Sequence, residues 1–309
     1  MIGVLGEALI DLIGGVSEKG ESLFHYYNGG CALNAATAAA RLNSDVTYIG
    51  KLSQDMFGQQ MKHYFEANNV GVIKDLTDVK ENSMIGFAKL NDSGSASYVF
   101  YTEGTTLSSI TSDEILQGIS TIKNLDYLHV GSVSIALEKS GSQILKALED
   151  MKSLPIIFFD PNVRPTVIEN FVNYKERVLR IASMSSIIKL SHEDLEFLFP
   201  DLNQADALKL LFAGRVEVVL FTMGKDGLRW INNDGLDISI PAIDNPIVDT
   251  VGAGDTVSGA TLTYLSEHNI KNLRKIDEKS AYELMDFAVR CASITTSRKG
   301  ANPPYRREL

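Results

Sequence analysis

The sequence predicts an α/β protein: a mostly parallel central sheet between two layers of helices, with a small second sheet beside it. Three observations predict this. Short apolar runs alternate with helical stretches along all 309 residues. Several runs, PIIFFD at 155–160 and VEVVLF at 216–221 among them, are apolar at nearly every position, as strands covered on both faces are. Two segments, 9–28 and 84–106, interleave polar and aromatic residues instead, as in MIGFAKLNDSGSASYVFYT. They read as a small antiparallel sheet outside the main one, a lid, with Asn91-Asp92-Ser93-Gly94 as a hairpin signal. Two ordinary edge strands would give the same pattern.

Taken in order, strands are expected at 1–5, 46–52, 84–90, 97–101, 127–130, 156–160, 187–190 and 216–222. Helices are expected at 32–42, 56–68, 143–152, 175–183, 204–212, 255–268 and 281–297. No long linker, low-complexity tract or obvious repeat interrupts them. The whole of 1–309 therefore reads as a single domain, with the lid drawn from about 9–28 and 84–106.

The chain is 44% hydrophobic and carries a net charge of −10. An acidic surface argues against nucleic acid or an anionic membrane as the main partner, because both are bound through excess Lys and Arg. It leaves a nucleotide substrate open, since a few local donors hold a phosphate. Cys31 and Cys291 are far apart and read as buried packing residues of a reduced, cytoplasmic protein. The first residues, MIGVLGEALIDLIGG, lack the basic start of a signal peptide, and no apolar run reaches the length of a membrane span. His63, His129 and His192 show no metal spacing.

The chemistry concentrates at 249–260, Asp-Thr-Val-Gly-Ala-Gly-Asp-Thr-Val-Ser-Gly-Ala. Small residues leading into a helix let a ligand approach the backbone, and successive N–H groups there form an anion hole. An acid beside such a hole would repel a phosphate. Asp255 makes sense if it takes the proton of a hydroxyl that attacks phosphorus. A helix cap with small residues for packing is the plain alternative. A P-loop is excluded because Ala260 follows Gly259, and a dinucleotide fingerprint because position 257 is Val257.

That stretch resembles the C-terminal signature of the ribokinase-like, PfkB-type carbohydrate kinases, and the resemblance runs along nearly the entire chain. GEALIDL at 6–12 resembles the opening strand of fructokinases in this family. GGCALNAATAAARL at 29–42 is similar to the family's N-terminal signature, and GKLSQDMFG at 50–58 to its G-x-x-G-x-D-x-F-G box, with Ser53 at the second glycine. DPNVRP at 160–165 and KLSHEDLEFL at 189–198 have fructokinase-like counterparts. Thr222-Met223-Gly224-Lys225-Asp226-Gly227 matches a T-x-G-x-x-G turn, and SRKGANPP at 297–304 resembles the nucleotide-side loop. So many blocks in one order far exceed what a single motif warrants.

The resemblance implies a ribokinase-like three-layer α/β/α fold and an ATP-dependent sugar kinase, closest to fructokinases, acting on a primary hydroxyl. Asp255 would be the base, with Gly252, Ala253 and Gly254 offering N–H groups to the transferring phosphoryl group. Asp11, Gly29, Gly30 and Asn34 resemble the sugar-binding positions, where a carboxylate and an amide suit vicinal hydroxyls. Taken singly, Asp11 also reads as a strand-end acid and Asn34 as a cap or core amide. Phe100, Asn162 and Arg164 would lie near the substrate. Lys189, Ser191, Thr222, Gly224, Gly227 and Gly300 fall on the ATP side. Asp194 sits where the family organises Mg²⁺ through water, although neighbouring Glu193 competes for that role and both acids suit a first helical turn. Many members also bind a monovalent cation, here K⁺ at the carbonyls of Asp249 and Val251, but Pro304 stands where ribokinases have Ser. An exposed lid edge offers a pairing surface for a homodimer.

One departure bears on the sugar. Fructokinases carry an Arg in the second lid segment, and here that position is Thr102. Ribokinase, 2-keto-3-deoxygluconate kinase and nucleoside kinase activities therefore stand as alternatives, as does a non-catalytic sugar-binding protein on the same fold.

Overall fold

The computed structural model of the chain describes residues 1–17, 19–90 and 96–309. The first part runs β1 (Ile2–Leu5), β2 (Leu9–Val16), β3 (Ser22–Gly29), α1 (Cys31–Arg41), β4 (Val46–Ile49), β5 (Leu52–Ser53), α2 (Met56–Ala67), β6 (Gly71–Val72), β7 (Thr77–Val79), β8 (Met84–Leu90) and β9 (Ala96–Tyr101). The middle runs α3 (Ser112–Ser120), β10 (Tyr127–Gly131), α4 (Val133–Ala136), α5 (Glu138–Asp150), β11 (Ile156–Asp160), α6 (Phe171–Met184), β12 (Ile187–Ser191), α7 (His192–Leu198) and α8 (Gln204–Leu211). The last part runs β13 (Val218–Thr222), β14 (Leu228–Asn232), β15 (Asp237–Ile240), α9 (Ala253–Glu267) and α10 (Glu278–Thr296).

The central sheet has the order β15-β14-β13-β12-β11-β10-β1-β4-β6. It is parallel from β13 to β6 and antiparallel only at the β14 and β15 edge. Alternate strand residues enter different helix layers. Phe158 packs with Ala35 of α1, Leu262 of α9 and Leu284 of α10 in one core. Phe159 packs with Ile144 of α5, Ile181 of α6 and Leu211 of α8 in the other. A strand that must bury both faces has no position left for polar residues, which is why PIIFFD reads as it does.

The two polar-aromatic segments form a separate sheet, β3-β2-β8-β9. It consists of two antiparallel hairpin pairs joined by parallel pairing of β2 with β8. The hairpin signal at 91–94 lies outside the described residues. Register puts Asp11, Gly86 and Phe100 in one row across this sheet. Phe24, Tyr26, Val99 and Tyr101 are more than half exposed, and strand alternation puts them on the opposite face.

Several expectations are shifted. The expected strand at 46–52 breaks at Gly50 into β4 and β5, and the helix at 255–268 begins two residues earlier. The sequence pattern predicts no element where α3, α4, β6, β7, β14 and β15 form. Among the described residues no helix is long and apolar enough to cross a membrane.

Candidate active site

The carboxyl ends of β1, β10, β11 and β12 deliver Glu7, Ser132, Asp160 and Lys189 to one region. Open parallel sheets bind ligands at such ends. A cavity of about 290 Å³ lies there, lined by Glu7, Asp11, Gly30, Asn34, Phe100, Asn162, Arg164, Lys189 and Asp255 among others. A second cavity of about 440 Å³ lies beside it, lined by Ser191, Glu193, Thr222, Gly224, Gly227 and apolar residues of α9 and α10. Thr250 and Gly254 belong to both walls. The two spaces therefore meet over the first turn of α9.

That turn is built by backbone constraint. Gly252 caps α9 in the left-handed region at φ 77°, and a Cβ there would come within 2.6 Å of the Ala301 methyl. The first intrahelical bond runs from Thr256 N to Gly252 O at 2.8 Å, while the Ala253 amide turns back on Thr250 O at 3.3 Å. Asp255 is buried, and its Oδ2 accepts from Asn34 Nδ2 at 2.8 Å. An acid in a first helical turn is also favoured by the helix dipole.

Asp11 and the glycine pair act together. A Cβ on Gly29 would stand 2.2 Å from Asp11 Oδ2, so Gly29 clears room for the carboxylate and does not itself line the cavity. Gly30 caps α1 at φ 98° and packs on the Glu7 carbonyl. Burial pushes the Asp11 carboxyl up to about 6, with Arg164 opposing and Asp255 adding to the rise.

Two further acids, Glu7 and Asp160, stand at the back of the cavity. Glu7 Oε1 accepts from the Cys31 amide and Oε2 from the Ser134 amide, both at 3.1 Å, so it ties the starts of α1 and α4 together. Burial pushes Glu7 up to about 7 against these bonds. Asp160 and Lys189 form a buried ion pair at 2.9 Å. Burial raises Asp160 to about 6 and the Lys189 charge opposes it. Burial also works against the ammonium, but Asp160 holds Lys189 above its ordinary value. Ionised Asp160 and charged Lys189 are the state these contacts favour. Glu7 lies within GEALIDL, where the family resemblance gives it no role; an acid just past the end of an apolar strand is its signal in the sequence.

Several expected site residues lie elsewhere. Lys189 lines the polar cavity and not the larger one, because Asp160 draws it there; a Cβ on Gly254 would stand 3.2 Å from its Nζ. Asp194 is turned inward. Its Oδ2 accepts from the Ser191 amide and hydroxyl, at 2.9 and 2.8 Å, and its Oδ1 from the Val163 amide at 2.8 Å. Asp194 thus caps α7 and anchors the loop carrying Asn162 and Arg164, while Glu193 reaches the wall of the larger cavity. Gly300 does not join that wall. Its amide donates to Asp249 Oδ2 at 2.9 Å, and its loop bends toward Arg41, which holds Asn302 and Pro303. Asp249 Oδ1 accepts from the Val251 amide at 3.0 Å, and Val251 lines the polar cavity.

A polar cavity and a largely apolar one, meeting at a helix N-terminus beside a buried carboxylate, are the parts of a phosphotransferase with a small polar acceptor. The chain belongs to the pfkB family of carbohydrate kinases, whose domain it matches over residues 1–307. It is a sugar kinase, and its fold is ribokinase-like. Fructokinase-1 of Zea mays is 30% identical over 304 residues, spanning 96% of this chain and 92% of that one. The fructokinase of Rhizobium leguminosarum bv. trifolii is 31% identical over 277 residues, 89% of this chain and 83% of that one. The crystal structure of ATP-bound fructokinase from Xylella fastidiosa superposes with a TM-score of 0.86 at 23% identity, covering 97% of this chain and 93% of that one.

Proposed function

We propose that this chain transfers the γ-phosphoryl group of ATP to a primary hydroxyl of fructose or a closely similar ketose. One observation carries the reading: the buried Asp255 carboxylate lines the polar cavity in the first turn of α9, directly after Gly254, which belongs to both cavity walls. The acceptor oxygen attacks the γ-phosphorus, its proton passes to Asp255, and the bond from that phosphorus to the bridging oxygen breaks to release ADP. The amides of Gly252 and Gly254 precede the first intrahelical bond and face developing charge on the phosphoryl oxygens; Lys189 adds a fixed positive charge. Asp11 and Asn34 hold the sugar hydroxyls, with Asn162 and Arg164 opposite. The larger cavity takes the nucleotide between the turn at Thr222, Gly224 and Gly227 and the apolar residues of α10. Mg²⁺ bound with ATP would neutralise phosphate charge, and Glu193, the acid in the wall of the larger cavity, would hold it; a K⁺ site at the carbonyls of Asp249 and Val251 belongs to the same reading.

The small sheet serves as a lid, since Asp11 and Phe100 on one face line the polar cavity. Its opposite face carries Phe24, Tyr26, Val99 and Tyr101, with Phe87 edge-on to Phe24 and Tyr101. A second copy of this chain covers that face, because an isolated aromatic patch on a kinase lid is otherwise left wet.

An ADP-release assay with fructose, ribose, 2-keto-3-deoxygluconate, glucose and a nucleoside tests the reading. Fructose among the best acceptors is the expected result. Turnover of none would leave a sugar-binding protein, and strong preference for the sugar acid or nucleoside would overturn the ketose assignment.

A further inference from the structure

Behind the polar cavity, Cys31, His129 and Asp160 come together from the start of α1, the middle of β10 and the end of β11. A ligand atom of each lies within 4.8 Å of the other two. An ion at the centre of such a triangle sits no more than about 2.8 Å from every donor. Contraction of about 0.5 Å at sulfur and about 0.7 Å at nitrogen and oxygen reaches zinc–ligand bond lengths. All three residues are at most 5% exposed.

Among the described residues, both ring nitrogens of His129 and Oδ1 of Asp160 are buried without a hydrogen-bond partner. Buried polar atoms are rarely left so, and orphans gathered in one place call for a guest. The donor set, a thiol, an imidazole and a carboxylate, selects a soft cation over Mg²⁺. Imidazole ligates through an unprotonated ring nitrogen, and neither nitrogen of His129 is engaged elsewhere among the described residues.

We propose that Cys31, His129 and Asp160 form a binding site for a thiophilic divalent cation of the zinc class. Asp160 Oδ2 is held by Lys189, and Oδ1 is the unpartnered oxygen that would ligate the ion. The ammonium opposes the added charge, and Asp255, which also faces Cys31, offsets it. Access is through the polar cavity, whose wall includes Cys31. The ligand is the thiolate, so binding breaks the S–H bond, forms a sulfur–metal bond and releases one proton to solvent. Separations of about a hundred and of about thirty residues hide this site from any spacing rule.

The test is titration of the chelator-treated, reduced full-length protein with Co²⁺ and then Zn²⁺. One equivalent of Co²⁺ should give a near-ultraviolet thiolate charge-transfer band, which Zn²⁺ abolishes by displacement with release of about one proton. Cys31→Ser, nearly the same shape, should lose the band, and His129→Gln should weaken binding by at least tenfold or so. Cys291→Ala should keep it. No band in the wild type, a band that survives Cys31→Ser, or one lost in Cys291→Ala would overturn the site and leave a trapped water as the guest.

Discussion

Asn34 Nδ2 donates to Asp255 Oδ2 at 2.8 Å, joining α1 to the first turn of α9 across 221 positions of chain. The bond holds the Asp255 carboxylate by its Oδ2 and sets its orientation in the cavity wall. Asp255→Asn keeps the size but cannot take a proton. Turnover should fall by about 10²–10⁴-fold, with sugar and ATP affinities little changed. Steady-state kinetics with calorimetric binding checks this, and a variant retaining most of its kcat removes Asp255 as base.

Gly252 and Gly254 are glycines for different reasons, so alanine should separate them. At Gly252, φ 77° and the nearby Ala301 methyl make any Cβ strained; the cost should be about 1–3 kcal/mol of stability. At Gly254 the helical backbone accepts a Cβ, which meets only Lys189 Nζ at 3.2 Å. Gly254→Ala should fold at least as stably as the wild type yet lose turnover, because its methyl occupies the junction of the cavities. Urea unfolding beside kinetics decides, and a fully active Gly254→Ala would mean that the phosphoryl group passes elsewhere.

Glu7 gives stability a pH dependence of its own. Its folded pKa lies near 7 against an ordinary 4.5, so between those values the unfolded chain has released a proton that the folded chain keeps. Stability from this group is full below about pH 4.5 and lost as pH climbs through 7, by about 3 kcal/mol. Glu7→Gln cannot titrate and should flatten that part of the curve, whatever it costs overall. Urea unfolding of both proteins from pH 5 to 8 provides the comparison, and parallel slopes would show that Glu7 is ionised throughout.

The central sheet was legible because its strands bury both faces: Phe158 and Phe159 serve opposite layers, leaving no polar residue to blur the pattern. The edge strands β14 and β15 were not, since Arg229 pairs with Asp237 across them at the surface and alternation there looks like loop. Asp255, Gly252 and Asn34 were legible through motifs. Asp194 and Gly300 were placed by motif too, but hydrogen bonds to Val163 and Asp249 decide where each points, and no spacing encodes those bonds. Ser132, at φ 60° in the cavity wall, carries no sequence signal, because Ser is not a residue that announces a left-handed backbone.

If the small sheet is a lid, sugar should slow amide exchange in β2, β3, β8 and β9 more than in the central sheet. Closure must keep water from the phosphate if ATP hydrolysis is to stay slow. Hydrogen exchange with and without fructose measures it. Equal protection in both states would leave the sheet a static wall.

The last prediction concerns the sugar. Phe100 lines the polar cavity, and the resemblance to fructokinases sets the lid Arg two residues further on, at position 102. Thr102 lies just past the end of β9, where its carbonyl accepts from the Thr105 hydroxyl at 2.7 Å. Its side chain is short and uncharged, whereas an Arg there would bring several donors to sugar hydroxyls. One charge-assisted hydrogen bond is worth about 1.5–3 kcal/mol, or roughly ten- to a hundredfold in kcat/KM. The wild type should therefore prefer fructose weakly over ribose, and Thr102→Arg should raise kcat/KM for fructose by that factor while leaving the KM for ATP alone. The extra charge should also favour an acidic sugar, so 2-keto-3-deoxygluconate belongs in the same series. A variant that gains nothing on fructose would show that position 102 points away from the bound sugar, and would put the discrimination on Asn162 and Arg164 instead.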